Sequence, residues 1–151
     1  MLVYNVGKID KDFNMQLSNT SKYAIRILSY IAKNEDKKLQ NAKELSEILE
    51  IPYKFLTKIM TDLVKKEFIL SIRGREGGYK LARSASSISV LDILNAFNEL
   101  IHYNECILGS QTCNSQKKCI LHDQWAKPRA MIKQMFSETT LEKIEGEDFK
   151  I

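Results

Sequence analysis

The chain has 151 residues, 44% hydrophobic and 28% charged, a composition that suits one folded domain with room for a small appended element. No apolar run approaches the ~18 residues needed to cross a bilayer, and no N-terminal segment joins basic residues to a sustained apolar core. Both facts argue against membrane insertion and secretion and lead us to expect a cytoplasmic protein. The net charge of +4 is uneven: residues 15–83 hold 14 Lys+Arg against 8 Asp+Glu, whereas residues 84–151 hold 7 against 9. A cationic half suits a polyanionic partner such as nucleic acid.

In chain order, residues 1–14 show no period and read as a leader of no assigned function. From Ser21 the pattern is helical, with Tyr23, Ala24, Ile27, Leu28 and Ile31 on one face and Asn19, Thr20 or Ser21 as cap. A second helix starts near Asn41. Glu44 three residues later suggests a capping box, and Leu45, Ile48 and Leu49 form its apolar stripe. Pro52 suits the first turn of a third helix, because the N–H it lacks would be unpaired there. Phe55, Leu56, Ile59, Met60 and Leu63 read as the inner face of that helix, leaving Lys54, Thr57, Lys58 and Thr61 outward. Two helices joined by a tight turn make a helix-turn-helix pattern.

Residues 68–72 and 79–82 read as two strands around the loop Arg73-Gly74-Arg75-Glu76-Gly77-Gly78. Three of the six glycines of the chain fall there. Glycine tolerates positive φ and lets backbone approach another surface closely. A glycine-rich tip flanked by Arg73 and Arg75 can lie on a phosphate backbone or enter a minor groove. Directly after a helix-turn-helix, such a hairpin reads as a wing. Ser89 caps a fourth helix with Val90, Leu91, Leu94 and Phe97. A longer helix runs from about residue 120 to 136, carrying Leu121, Trp125, Ile132 and Met135 and interrupted by Pro128. Residues 139–144 form a short capped helix.

All three cysteines fall within residues 106–119, an odd, clustered set that argues for metal or redox chemistry rather than a disulfide framework. Cys106, Cys113 and Cys119 are followed by His122, three residues past the last cysteine and so about one helical turn away. Three thiolates and an imidazole make a complete four-ligand set for an iron–sulfur cluster or for zinc. Zinc sites usually use cysteine pairs two to four residues apart, and this chain has none. A thiol oxidoreductase is disfavoured by the lack of a close CxxC pair, and no phosphate-cradling loop sits in a strand–helix setting.

MQLSNTSKYAIRILSYIA from residue 15, IPYKFLTKIMTDLVKKEFI, the wing LSIRGREGGYKLAR, ISVLDILNAF, the three spaced cysteines, Trp125 and TTLEKI together resemble the IscR/NsrR/CymR family of bacterial regulators over residues 15–144. The resemblance implies a mainly α fold with a small β-wing, a winged helix-turn-helix with a long dimerisation helix, and no enzymatic activity. It divides the chain into a DNA-binding domain (15–100), a cluster-binding loop (101–122), a dimerisation helix with a short terminal helix (123–145) and a tail (146–151). It implies a homodimer on double-stranded DNA with a palindromic operator. Lys54, Thr57 and Lys58 match the helix positions that read bases and phosphates. Arg73 matches the wing arginine, with Arg75 as a second cation and Gly77 and Gly78 at the tip.

Cys106, Cys113 and Cys119 match the cluster cysteines. His122 keeps the interval of the IscR-type histidine ligand. Lys22 stands where the NsrR type has a carboxylate ligand from the partner subunit. Both features imply a 2Fe–2S cluster, a 4Fe–4S nitric-oxide sensor being the alternative. The chain departs from the family pattern by one extra residue between Cys106 and Cys113, and by Pro128 inside the expected dimer helix.

Overall fold

A computed structural model describes residues 17–99, 106, 108, 116 and 118–145. The leader, most of the cysteine segment including Cys113, and the tail lie outside the described residues. Helix α1 (Asn19–Lys33) buries Ala24, Ile25, Ile27, Leu28 and Ile31. Its cap is Ser18, one residue before the expected candidates, and Ser18 Oγ accepts from Ser21 N at 3.2 Å. The reason is non-local: the Glu99 carboxylate accepts from Ser18 N, Ser18 Oγ and Ser21 Oγ, each at 2.7 Å. Asn34 ends the helix, its side-chain amide donating to Tyr30 O at 2.8 Å.

Helix α2 (Ala42–Ile48) is capped by Asn41, whose side chain accepts from Glu44 N at 2.8 Å. The expected box is half formed, because the Glu44 carboxylate pairs with Lys38 at 3.1 Å. Of its expected stripe, Leu45 and Leu49 are buried and Ile48 is exposed. Helix α3 (Tyr53–Lys65) starts one residue later than expected, with Pro52 as the cap and its carbonyl accepting from Phe55 N and Leu56 N. Leu56, Ile59, Met60 and Leu63 are buried as expected, but Phe55 is 59% exposed. At 100° per residue, Phe55 falls well outside the arc centred on those four.

Strands β1 (Ile69–Ile72) and β2 (Gly78–Leu81) form the hairpin, each shifted by about one residue from expectation, with Ile69 opposite Leu81 and Ile72 opposite Gly78. Ile69 and Leu81 point into the core. Gln40 and Tyr79 exchange both backbone hydrogen bonds, which clips the hairpin to the α1–α2 connection. A 3₁₀ turn (Ala85–Ser87) leads to α4 (Val90–Ala96), which has a reciprocal capping box between Ser89 and Asp92. Val90, Ile93 and Leu94 are its buried residues, Ile93 having been missed in the sequence.

Helix α5 (His122–Glu138) continues through Pro128. At its end Thr139 O accepts from Val90 N, and Leu141 N donates to Ile88 O. This returns α6 (Leu141–Glu145) to α1, with Leu141 fully buried in the same core as α1–α4.

Three helices end in the same way. Glu50, Glu67 and Asn98 follow α2, α3 and α4 with φ of 52°, 58° and 57°. In each, the next residue donates back five positions: Ile51 N to Ser46 O, Phe68 N to Leu63 O, and Glu99 N to Leu94 O. This is the Schellman closure, normally built on glycine. A left-handed glutamate costs about 1–2 kcal/mol, partly offset in a glycine variant by the entropy of the unfolded chain. Glu67→Gly is therefore expected to raise the unfolding free energy by about 0.5–1 kcal/mol, and Glu67→Val to lower it by more than that. Urea denaturation midpoints at constant slope check both.

Candidate nucleic-acid interface and cysteine site

Lys54 and Lys58 are one turn apart on the solvent side of α3, opposite the buried arc, and both are exposed. Thr57 is half-buried rather than fully outward, and its hydroxyl donates to Lys54 O at 3.2 Å. The α2–α3 corner is braced from behind. Arg26 donates to Leu49 O at 2.6 Å, and Ser46 Oγ donates to Ile51 O at 2.8 Å. The angle at which α3 is presented thus depends on α1 as well as on the turn.

Arg73 and Arg75 are both exposed at the hairpin tip. Other cations of this half serve the framework: Arg83 lies 5.2 Å from the Phe68 ring and Lys66 lies 5.8 Å from Phe97. Gly74 has φ of 119°, which a side chain rarely adopts. Gly77 N donates to Gly74 O at 3.0 Å, and a Cβ at Gly77 would collide with Ile72 O. A Cβ at Gly78 would stand 2.9 Å from both Gln40 O and Leu39 Cβ, because the hairpin is pressed onto residues 39–40. The glycines therefore shape the tip from within, whatever it touches outside.

Sequence reasoning missed two exposed aromatic residues in the first turn of α3. Tyr53 and Phe55 are 55% and 59% exposed, on either side of Lys54. The signal available was angular: Phe55 lies off the arc shared by Leu56, Ile59, Met60 and Leu63.

At the head of α5 the structure brings two of the four expected metal ligands together. The sulfurs of Cys106 and Cys119 are 3.3 Å apart, Cys106 being buried. Two thiolates on one tetrahedral metal at about 2.3 Å would stand about 3.7 Å apart, so only a small movement separates this pair from a shared centre. His122 opens α5, is 9% exposed, and donates its backbone N–H to Cys119 O at 3.0 Å. Among the described residues, no three His, Cys, Asp or Glu side chains gather as a metal-binding group. Cys113 lies outside the described residues. The Trp125 indole N–H, one turn beyond His122, is buried and finds no acceptor among the described residues. Soft, partly desolvated sulfur donors fit an iron–sulfur group. Lys118 is bonded to Asp123 at 3.0 Å, and that hydrogen bond, with the ammonium charge, holds the Asp123 carboxyl below its usual value.

A hairpin following a helix-turn-helix, with its tip cationic and its base sewn to the helices, defines a winged helix-turn-helix protein. The match to an iron-dependent transcriptional regulator family, Rrf2, spans residues 17–146. The chain belongs to the Rrf2 family; it is a DNA-binding transcriptional regulator and not an enzyme. It is 32% identical over 129 residues to the HTH-type transcriptional regulator NsrR of Oceanobacillus iheyensis, covering 85% of this chain and 88% of that protein.

Its fold is similar to that of CymR, the global cysteine regulator of B. subtilis (TM-score 0.72, 20% identity, 88% of this chain and 98% of that one). It is also similar to T. potens IscR (TM-score 0.71, 19% identity, 91% and 93%). No helix among the described residues is long and apolar enough to cross a membrane.

The tip geometry orders three substitutions. Gly77→Ala is expected to cost about 2 kcal/mol or more, since backbone must move. Gly78→Ala is expected to cost somewhat less, and Gly74→Ala about 1 kcal/mol, having space but a strained φ. Equilibrium urea unfolding of the three variants checks the order.

Proposed function

We propose that the chain is a homodimeric iron–sulfur sensor that sets the occupancy of a palindromic DNA operator in the cytoplasm. The observation that carries the sensing part is the 3.3 Å approach of the Cys106 and Cys119 sulfurs at the head of α5. In this reading Cys113 and His122 complete a set of three thiolates and one imidazole around a 2Fe–2S cluster. Lys22, a cation, stands where a carboxylate from the partner subunit would be needed in the NsrR type. When bound, such a cluster supplies reversible one-electron chemistry and sensitivity to oxidants and iron supply.

The rest is done by the chain's own residues. Lys54 and Lys58 meet phosphates or guanine in the major groove, and Thr57 meets a thymine methyl or a backbone oxygen. Arg73 and Arg75 hold the adjoining backbone or minor groove from a tip whose shape Gly77 and Gly78 set. Exposed Met131 and Met135 favour α5 as the surface that meets the second subunit. Two-fold pairing places two copies of α3 on two half-sites, hence the palindrome. Cys119 precedes α5 by three residues, and α5 ends on Thr139, hydrogen-bonded to the first residue of α4. A change of ligation at the sulfurs is thereby passed to the position of the DNA-binding helices.

Anaerobic purification is expected to give a coloured protein with about two iron and two acid-labile sulfide per chain, both lost in Cys106→Ser. Colourless protein with one zinc per chain would overturn the sensor reading, and four iron per chain would move it to the 4Fe–4S nitric-oxide type. On DNA, Lys54→Ala and Arg73→Ala each remove one contact from both subunits of the dimer and are each expected to reduce the slope of log affinity against log salt by about 2. An unchanged slope in both would remove these residues from the phosphate contacts.

A further inference from the structure

Phe55 is one of the most exposed large apolar side chains on the helices that form the helix-turn-helix, at 59%. It is not surplus to a core face, because the buried arc of α3 is completed by Leu56, Ile59, Met60 and Leu63. It sits in the first turn, the part of a recognition helix that reaches base edges. Lys54 precedes it, and Lys58 lies three residues on, where helix geometry makes side chains neighbours. An apolar ring beside two exposed lysines is a poor fit to an apolar protein partner, whose surface would have to desolvate both charges. It suits a polyanion that carries an apolar group at a fixed depth below its charges. In the major groove of B-form DNA one such group exists, the 5-methyl of thymine.

We infer that Phe55 is a specificity-determining residue that reads a thymine methyl in each half-site, with Lys54 and Lys58 anchoring the helix above it. This rests on the proposal that α3 is the base-reading helix, and it goes beyond it by naming the base and the group recognised. The aromatic ring has no hydrogen-bonding atoms, so it distinguishes thymine from cytosine or uracil only by contact with the methyl carbon.

The test uses a duplex selected by the wild-type protein from a randomised pool. Each thymine is replaced in turn by deoxyuridine, which removes only the methyl. At one position per half-site, wild-type affinity is expected to fall about three- to fivefold, and about tenfold or more when both half-sites are changed. Phe55→Ala is expected to bind the thymine duplex more weakly and to show a uridine-to-thymine ratio near one at that position, while Phe55→Leu keeps part of the discrimination. Melting temperatures close to wild type are expected, since the ring is outside the core.

Retention of the full uridine penalty in Phe55→Ala would overturn the inference while leaving α3 as the base-reading helix. A Phe55→Ala protein that changes its sedimentation but not its DNA affinity would reassign the residue to a protein contact and overturn it as well. If no sequence is enriched from the pool, the parent reading falls together with this one.

Discussion

The constraint on which the fold depends is the left-handed reversal at the end of α2, α3 and α4. Each helix is short, and short helices draw little stability from their own hydrogen bonds. Their directions are set by what happens at the ends. At Glu50, Glu67 and Asn98 the backbone turns sharply enough for the following N–H to recover an orphan carbonyl of the last turn. The residue that donates is then delivered inward. Ile51 enters the core between α2 and α3, Phe68 enters it between α3 and the hairpin, and Glu99 reaches the start of α1. The α2–α3 crossing, the launch of the wing and the seat of α1 all follow from one local geometry used three times.

That geometry was not legible in the sequence, and the reason is specific. Glycine is the usual mark of a left-handed cap, and none of the three positions carries it. Two are glutamates, which read as ordinary surface residues. What did show was whatever rests on periodicity within one element: the buried residues Ala24, Ile27, Leu28 and Ile31 of α1, the arc Leu56–Ile59–Met60–Leu63 of α3, and the glycine-rich hairpin. The errors cluster where position depends on a distant partner. Ser18 rather than a later residue caps α1 because Glu99 arrives from 81 positions away. Phe55 and Ile48 look like core residues in a list of apolar letters, yet both are exposed, and for Phe55 the 100° step alone places it off the buried arc of α3.

The candidate sites differ in the same way. The wing could be read because its glycines and arginines are consecutive, and the steric limits at Gly77 and Gly78 account for that residue choice without reference to DNA. The cysteine spacing identified a set of soft donors but could not say which would meet. The approach of Cys106 to Cys119 spans 13 residues and depends on where α5 begins. His122, placed by sequence in the ligand set, is at the first residue of that helix, with its backbone already committed to Cys119 O.

The two ends of the cysteine segment are tied to the DNA-binding fold by different means, and this bears on how a signal could pass. Upstream, Glu99 is held by three hydrogen bonds to Ser18 and Ser21 in the first turn of α1. Charge-assisted bonds of this kind are stronger than neutral ones and fix the entry point. Downstream, the segment passes directly into α5, which at its far end is bonded to the first residue of α4 through Thr139. One end is a bolt and the other is a lever about 26 Å long, from 17 residues at 1.5 Å each. Displacing Glu99 would break that set of bonds. In the sensor proposed above, a rearrangement at Cys119 would pass along α5, toward the exposed methionines and the first residue of α4, as a sulfur-centred signal would need in order to reach the DNA-binding helices.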